Sequence, residues 1–437
     1  MLSIIIILSI ALAIFLGYRT KINTGLFCIV FAYIIGCFVM GLKPKQIIGF
    51  WPTSTMFVIL SVSLFYNFAA INGTLEKMSS ALLYACRNFP GLLPYALFAV
   101  AVILSVMGAT FFTVLAFLAP ITLVICDESR MDKLTGAVAI NCGALAGGNF
   151  PTSNLGVVFR GLSDTAYEAS PEIAAVDSFN MEMKIFAFAI FFSLILITIF
   201  RFGFKENRNI GKGVTFKKPE SFTKDQKTTL TLMMAMMAVV LIFPLLNILM
   251  PGNAAVKYIS GKVDVGLVAI IFTVIALLLK LAPQKEAIAK VPWNTIIMIA
   301  GAGMLIAVAV EAGTIEALST WIGSNVPKPL VPIAFCLVGA IMSFFSSTTG
   351  VVAPALFPLI PNLAASVGLS APVLFACTIL GAQSSAISPF SSGGSLILGS
   401  TPKEEERNEL FNRLLMVAVP ISVITCTIYN FVIAMVL

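Results

Sequence analysis

The sequence lacks histidine altogether, and only 11% of its 437 residues are charged. In soluble proteins about a quarter of all residues are charged, so a water-soluble globular fold is excluded. The chain contains neither an HExxH zinc motif nor a glycine-rich nucleotide-binding loop. These absences argue against a metalloenzyme or a nucleotide-driven enzyme. We expect a protein without enzymatic activity and without a resident cofactor.

Disulfide and metal-binding patterns of cysteine are missing as well. The eight cysteines are scattered through mostly apolar stretches, and no two of them form a CxxC pair. In such surroundings free cysteine behaves as a small buried hydrophobic residue. We therefore expect neither a disulfide framework nor a cysteine metal site.

Apolar residues make up 59% of the chain. Apolar runs of about 20 residues, the length that spans a bilayer, recur from one end to the other. The pattern predicts an all-α polytopic membrane protein that contacts a lipid bilayer. The first run is interpreted as a retained helix, because positive charges follow it instead of preceding it as in a secretory signal. The predicted spans are 2–18, 24–42, 53–71, 134–164, 184–203, 229–250, 264–282, 293–311, 371–399 and 412–437.

Two further apolar stretches, 92–126 and 331–364, are each divided near the middle by small polar residues. The dividing sequences are MGATFFT and FSSTTG, and we interpret both stretches as helical hairpins that enter the membrane and turn back. Spans 134–164 and 371–399 are interrupted by AGGNFPTSNLG and SSAISPFSSGG, which predicts broken helices. Irregular backbone at membrane depth is tolerated only inside protein or beside a water-filled cavity.

Charge is distributed unevenly over the predicted loops. With the N-terminus outside, the inner loops hold 20 of the 27 lysines and arginines, and the linker 201–227 alone holds eight against three acidic residues. The opposing loop, 162–183, holds five acidic residues and no basic one. This asymmetry follows the positive-inside rule for an inner (plasma) membrane. It predicts that both termini lie outside and that the linker is cytoplasmic, and it explains the net charge of +7 without nucleic acid.

The two halves of the chain repeat one another at a nearly constant offset. Adding 238 takes Gly143, Pro151, Ser153, Gly156, Ser105, Thr110 and Pro120 to Gly381, Pro389, Ser391, Gly394, Ser343, Thr348 and Pro358. Adding 240 takes Thr55, Gly73, Thr74, Glu76 and Ser79 to Thr295, Gly313, Thr314, Glu316 and Ser319. Chance similarity between two apolar sequences would match leucine and isoleucine instead of glycine, proline and serine.

Each repeat has five predicted crossings and one hairpin, and an odd number of crossings inverts the second copy relative to the first. We predict a first repeat over 1–203, a cytoplasmic linker over 204–228 and a second repeat over 229–437. Residues 2–71 and 229–311 supply the scaffold helices of the two repeats. Inverted repeats with broken helices are typical of secondary transporters that bind substrate near the membrane midplane.

The two breaks and the two hairpin tips form the predicted binding site. A broken helix exposes N–H groups that suit an anion at one new end and C=O groups that suit Na⁺ at the other. The candidate substrate-binding residues are Thr110, Thr152, Ser153, Asn154, Thr348, Thr349, Ser391, Ser392 and Gly393. The candidate Na⁺ sites are Gly147, Gly148, Asn149, Ser384, Ser385 and Ser388. The alternative interpretation is that these small residues only allow helices to pack closely.

Charged residues are absent from the hairpins and from the middle of the broken helices. A proton pump usually keeps an intramembrane carboxylate or histidine. The missing carboxylate therefore predicts Na⁺ coupling. Arg160 and Glu311 fall at predicted helix ends, and we interpret them as residues of the membrane interface. A substrate that enters singly protonated would need no relay residue, which leaves H⁺ coupling open.

Several stretches resemble a known family. INGTLEKM (71–78), MGATFFTVLAFLAPITL (107–123) and NCGALAGGNFPTSNLGVVFRG (141–161) resemble the N-terminal half of MatC-type dicarboxylate carriers. The second half, with its hairpin and ISPFSSGGSLILGS, resembles the ion transporter superfamily, which includes the divalent anion:sodium symporters, or INDY-type proteins. The resemblance implies a homodimer in which a transport domain moves as an elevator against a rigid scaffold. It also implies C3–C4 dicarboxylate substrates, often with Na⁺ coupling.

The hairpin tips depart from the family pattern. INDY-type hairpins carry Ser-Asn-Thr at each tip, whereas the aligned tips here read Thr110-Phe111-Phe112 and Thr348-Thr349-Gly350. This departure leaves the number of Na⁺ sites and the substrate open. The leading hypothesis is a secondary active transporter of small organic dianions such as malonate or succinate. The alternatives are an H⁺-coupled transporter of an inorganic oxyanion or monocarboxylate, and an anion channel, which would need a continuous pore, often with rings of charge.

Overall fold

The computed structural model describes residues 2–20, 22–85, 90–210, 218, 220–250, 253–260, 262–344, 348–401 and 404–436. The chain is helical over these ranges and forms no strand within them. The helices of the first half are α1 (Leu2–Thr20), α2 (Thr24–Val39), α3 (Pro44–Gly49), α4 (Thr53–Ile71), α5 (Thr74–Ala85), α6 (Leu93–Val106), α7 (Phe111–Ser129), α8 (Lys133–Gly148), α9 (Asn154–Glu168) and α10 (Ser178–Gly203). Those of the second half are α11 (Lys224–Leu249), α12 (Ala254–Ser260), α13 (Val265–Leu278), α14 (Gln284–Ala289), α15 (Trp293–Glu311), α16 (Thr314–Asn325), α17 (Val331–Phe344), α18 (Thr348–Val367), α19 (Ala371–Ser384), α20 (Ser392–Gly399) and α21 (Glu404–Val436).

Three of the described helices, α10, α18 and α21, are long and apolar enough by themselves to cross a membrane. Apolar helices of 10–17 residues accompany them, among them α2, α6 and α19. Large apolar side chains cover much of the outer surface, and Phe38, Leu278 and Met416 are each more than 70% exposed. Such a surface suits lipid tails, which are as apolar as leucine.

The structure reproduces most predicted spans and corrects one loop. α4 and α15 have the predicted bounds 53–71 and 293–311. The outer loop predicted over 162–183 is wrong, because α9 continues to Glu168 and α10 already begins at Ser178. The predicted linker is described only in part, since 211–217 and 219 lie outside the described residues. The short helices α3, α5, α14 and α16 were not predicted from the sequence.

Helix bounds recur at the offsets found in the sequence. Adding 240 takes α3, α4 and α5 onto α14, α15 and α16 without a residue of difference. Adding 238 takes α6 onto α17, and takes α7 onto α18 to within one residue. The two halves therefore divide into helices at equivalent positions.

The same close helix contact appears in both halves. α6 runs beside α8 and parallel to it, so closely that a Cβ on Gly143 would collide with the Phe98 carbonyl. A Cβ on Gly381 of α19 would collide in the same way with the Cys336 carbonyl of α17, and these two residues lie 238 positions beyond the first pair. Glycine is required here because only a residue without a side chain allows this approach. α7 packs antiparallel to α8 through Thr122, so α6 and α7 form a hairpin.

Each broken helix packs against the hairpin of the other half. The second segment of the first broken helix, α9, contacts α18, where the rings of Phe159 and Phe357 lie 6.1 Å apart. The second segment of the other broken helix, α20, contacts α7. This crossed arrangement brings both breaks and both hairpins together between the halves.

Candidate substrate site

Each broken helix is held by a serine at the same position of its break. Ser153 ends break 1 (149–153), and its hydroxyl is within hydrogen-bond distance of the carbonyl oxygens of Gly148 and Phe150. Ser391 ends break 2 (385–391) and reaches the two equivalent carbonyls at 2.5 and 2.7 Å. The backbone angles agree as well, with φ and ψ of −85° and 174° against −86° and 165°. These hydroxyls satisfy carbonyls that a helix end leaves without partners.

A reciprocal amide pair joins the two broken helices across the halves. The Asn149 Nδ2 donates to the Gln383 Oε1 at 3.0 Å, and the Gln383 Nε2 donates to the Asn149 Oδ1 at 2.7 Å. Both side chains are buried, with 0% and 5% exposure. Because each buried amide satisfies the other, the pair fixes the end of α8 against α19.

The hairpin tips place hydroxyl groups beside the breaks. Thr110 caps α7 by accepting the Thr113 N–H at 3.2 Å, and the two threonine hydroxyls lie 2.8 Å apart. At the equivalent tip the Thr348 hydroxyl lies 3.2 Å from that of Ser343. The predicted tip also includes 346 and 347, which lie outside the described residues.

These elements surround a central cavity of about 560 Å³. Its polar lining consists of Asn67, Thr110, Thr113, Asn154, Lys290, Ser343, Thr348, Thr349, Gln383 and Ser391. It reaches the C-terminal part of α4, near Asn67, and the segment just before α15, at Pro292. In the predicted topology this is the cytoplasmic side.

The electrostatics of the central cavity suit an anion. Among the described lining residues Lys290 is the one basic side chain, and none carries a carboxylate. α7, α9 and α20 begin at the cavity wall. The N-terminal end of a helix carries partial positive charge and unpaired N–H groups, which bind anions.

The structure brings most predicted substrate-binding residues together. Six of them line the central cavity: Thr110, Asn154, Thr348, Thr349, Ser391 and Gly393. Thr152 and Ser153 do not line it and are buried, with 1% and 0% exposure. Ser392 is the first residue of α20, but its side chain lies outside the described part of the chain. For all nine candidate residues, a role in substrate binding stays a prediction.

The candidate Na⁺ residues lie at the helix ends, and their side chains are engaged by protein groups. Asn149 pairs with Gln383, Ser384 and Ser385 donate to backbone carbonyls at 2.6 and 2.8 Å, and Ser388 accepts an N–H at 3.2 Å. The two glycines of the set, at 147 and 148, end α8. The described residues contain no group of three or more His, Cys, Asp or Glu that could hold a metal.

Five residues that line the central cavity were not among the binding residues predicted from the sequence: Asn67, Thr113, Lys290, Ser343 and Gln383. Gln383 offered one signal, since it directly precedes the Ser384–Ser385 pair at the break. Lys290 was counted only as an inner-loop charge.

A second cavity, the outer cavity, measures about 590 Å³ and lies at the opposite ends of α4 and α15. Thr53 at the start of α4 and Glu311 at the end of α15 line it. Its charged lining consists of Arg160, Asp164, Glu168, Asp264 and Glu311. Glu311 thus lies at a helix end as predicted, whereas Arg160 lies within α9 and reaches the Pro151 carbonyl of break 1 at 3.2 Å.

The expectation that the membrane part holds no buried carboxylate is wrong. Glu182, assigned from the sequence to an outer loop, belongs to the second turn of α10 and has 0% exposure. Neither of its carboxylate oxygens has a hydrogen-bond partner among the described residues. The outer loop is shorter than predicted, and this places Glu182 inside the packed helices.

Two family models match the chain. The dicarboxylate carrier protein MatC N-terminus matches residues 1–148, and the citrate transporter model, CitMHS, matches residues 255–435. Among curated proteins none matches the chain.

Two solved structures share the fold. The Alcanivorax borkumensis YdaH transporter has a TM-score of 0.64 and 17% identity, covering 89% of this chain and 87% of that one. Neisseria gonorrhoeae MtrF, described as illuminating a class of antimetabolite efflux pumps, has a TM-score of 0.63 and 14% identity, covering 93% of this chain and 84% of that one. At these identities the likeness shows the fold alone, an all-helical transporter fold. The resemblance seen in the sequence is confirmed: the chain has a region similar to the N-terminus of MatC dicarboxylate carriers, followed by a region similar to citrate transporters, and both of these families consist of transporters and not of enzymes.

Proposed function

We propose that this protein is a cation-coupled secondary transporter of small organic dianions, C3–C4 dicarboxylates such as malonate or succinate, in the inner membrane. The observation that carries the proposal is the meeting of helix N-termini from both halves in a cavity that holds Lys290 and, in its described lining, no carboxylate. Asn154, Gln383 and Thr348 add amide and hydroxyl donors for carboxylate oxygens. The volume of about 560 Å³ lies within the range of small-molecule sites. The MatC and citrate transporter matches support a carboxylate substrate.

The proposed transport cycle is alternating access between inverted repeats. α4 meets the central cavity with its C-terminal part, whereas its equivalent α15 meets the same cavity with its N-terminal end. The outer cavity reverses this relation, and such opposite orientation is what an inverted repeat requires. We propose that the hairpins and broken helices move as an elevator against scaffold helices 2–71 and 229–311 of a homodimer. Both termini would lie outside and the linker in the cytoplasm.

Na⁺ is the proposed coupling ion. The ends of α8 and α19 present backbone carbonyls beside Asn149 and Ser385, and oxygen ligands of this kind suit a hard cation. A Na⁺ ion there would lie next to the substrate, so its charge would offset part of the dianion's charge.

A second candidate is an H⁺-coupled transporter of another anion, a monocarboxylate or an inorganic oxyanion. Phe111 and Phe112 favour the monocarboxylate, because these rings line the cavity where related symporters carry polar tip residues. An apolar wall of this kind suits a substrate with one charged end and one apolar end.

Uptake into proteoliposomes tests the proposal. Labelled malonate, succinate, acetate and sulfate are supplied with equal pH on both sides, with and without an inward Na⁺ gradient. We expect a dicarboxylate to accumulate above its external concentration only when the Na⁺ gradient is present. Accumulation that needs a pH gradient and ignores replacement of Na⁺ by choline would overturn Na⁺ coupling. Transport of acetate or sulfate alone would support the second candidate, and flux that never exceeds the concentration ratio would indicate a channel.

A further inference from the structure

Glu182 lies in an unusual setting for a carboxylate. It is fully buried in α10, and neither of its oxygens has a hydrogen-bond partner within the described residues. A buried carboxylate in its ionised form requires a counter-charge or several donors. The arrangement therefore fits the protonated form of Glu182, and the ionised form would need a group that moves toward it.

Arg160 of α9 is that group. One guanidinium nitrogen of Arg160 donates to the Pro151 carbonyl of break 1 at 3.2 Å, while its buried Nε finds no hydrogen-bond partner in the described part of the chain. The guanidinium lies 5.3 Å from the ring centre of Phe179, one turn before Glu182 on α10. The same side chain thus contacts break 1 and the first turn of α10, the helix that carries the buried carboxylate.

The other titratable groups around Arg160 and Glu182 either influence the charge of the guanidinium or lie farther along α10. Asp164, Asp177 and Asp264 act on the guanidinium of Arg160. Tyr167 of α9 shares a core with Met181 and Ile185 of α10. The remaining helices packed against α10 bring Tyr95, Cys142 and Tyr429, which contact Thr198, Ser193 and Phe188, respectively. They also bring Cys377, which belongs to the buried cluster against which Phe188 packs. Lys205 and Glu206 lie beyond the far end of α10.

The outer cavity gives the pair a connection to solvent. Arg160 lines this cavity together with four carboxylates, those of Asp164, Glu168, Asp264 and Glu311. Four negative groups against one positive group raise the local concentration of cations, protons included. Glu182 does not line the cavity, whereas Arg160 does.

We propose that Glu182 is a proton-binding site that couples proton movement to the conformation of break 1, with Arg160 as the positioning residue. In the protonated state Arg160 holds the Pro151 carbonyl, as observed. When the carboxyl O–H bond of Glu182 breaks, the proton leaves to the water of the outer cavity. The guanidinium then turns to the carboxylate and releases the carbonyl. The inference rests on the proposed transport function and adds a proton to its cycle.

Infrared spectroscopy of the purified full-length protein in liposomes tests proton binding without any substrate. Difference spectra are recorded between about pH 6.5 and 9, a range in which exposed carboxylates stay ionised, for wild type, Glu182→Gln, Glu182→Asp and the control Glu172→Gln, which changes an exposed carboxylate. The band of a protonated carboxyl group should titrate in wild type, in Glu172→Gln and, at a shifted pH, in Glu182→Asp. It should be missing from Glu182→Gln. An unchanged band in Glu182→Gln would overturn the proposal.

Uptake of labelled succinate then tests coupling, with Na⁺ equal on both sides. One proton moving with each substrate makes a pH gradient of one unit worth about tenfold in accumulation. Glu182→Gln should lose this dependence while still exchanging succinate, Arg160→Lys should keep part of it, and Arg160→Gln should lose it. Full pH dependence in Glu182→Gln would refute the coupling role. Failure of wild type to move any dicarboxylate would refute the proposed substrate, while the infrared titration would still decide whether Glu182 binds the proton.

Discussion

Break 1 and break 2 have the same backbone and different surroundings. Both end in a serine that bonds two preceding carbonyls, with φ and ψ values that agree within 10°. Break 1 has a charged support in Arg160, whereas the equivalent position in the second half is occupied by Leu398. The position equivalent to Glu182 is Pro420, which can neither carry charge nor donate an N–H.

The difference separates structural features from features of the transport cycle. What the breaks share, the serines and the close glycine contacts, satisfies backbone groups and packs helices in both halves. What distinguishes break 1 is the buried Arg160 beside it and the buried, titratable Glu182 on α10, and the equivalent positions in the second half cannot carry charge. We therefore expect changes at shared features to act alike in both halves, and changes at one-sided features to act on coupling.

The largest expected effect is on the shared helix contact. Gly143→Val and Gly381→Val place a side chain against a backbone carbonyl, and overpacking of this kind costs about 1–3 kcal/mol or more. Both variants should lower the unfolding temperature in detergent by similar amounts. Gly399→Val is the matched control, because a Cβ there meets open space. A large loss for only one of the two variants would break the equivalence of the halves.

The next effect is expected at the first residues after the two breaks. Asn154→Ala and Ser392→Ala should each weaken substrate or ion binding, because a lost hydrogen bond to a charged group costs about 1.5–3 kcal/mol, or roughly 10- to 150-fold in affinity. Binding to the purified protein and ion dependence of uptake measure this. Asn325→Ala, at an exposed helix end, serves as the control. Wild-type affinity and ion dependence in both variants would remove these residues from the site.

The sequence predicted the helices and breaks better than the contacts between them. The bounds of α4 followed from its apolar run, and the breaks followed from proline and glycine inside apolar runs. These signals are local, so they can be read along the chain. The burial of Glu182 was not predicted, because five acidic residues without a basic one resembled a solvated loop. The packing of other helices around α10 removes it from water.

The amide pair between the two halves could not be predicted for the same reason. Asn149 and Gln383 are 234 residues apart and do not occupy equivalent positions in the repeat, so the offset of 238 does not pair them. The amide of Asn149 was instead assigned to a candidate Na⁺ site from its position at a helix end.

A double-mutant cycle on this amide pair gives the third prediction. Asn149→Ala or Gln383→Ala leaves one buried amide unsatisfied, which costs about 1–3 kcal/mol. The double variant should cost less than the sum of the two, because neither unsatisfied partner remains. Denaturation midpoints of the three variants measure the coupling. Additive losses would indicate that the pair does not hold the broken helices together.

The smallest effect is expected at the two serines, and here the comparison of the breaks is sharpest. Loss of a helix cap costs about 1 kcal/mol. Ser391 also accepts the Gly394 N–H at 3.4 Å, whereas Ser153 makes no cap bond to its helix, and Arg160 supports break 1 independently. Ser391→Ala should therefore lower stability more than Ser153→Ala. Adding Arg160→Gln to Ser153→Ala should remove the difference, because break 1 then loses its second support.

The unfolding temperatures of the two single variants and the double variant decide this, with Ser366→Ala, away from both breaks, as the control. Equal losses from the two single serine variants would mean that neither the Gly394 N–H bond of Ser391 nor the Arg160 contact makes the two breaks differ in stability.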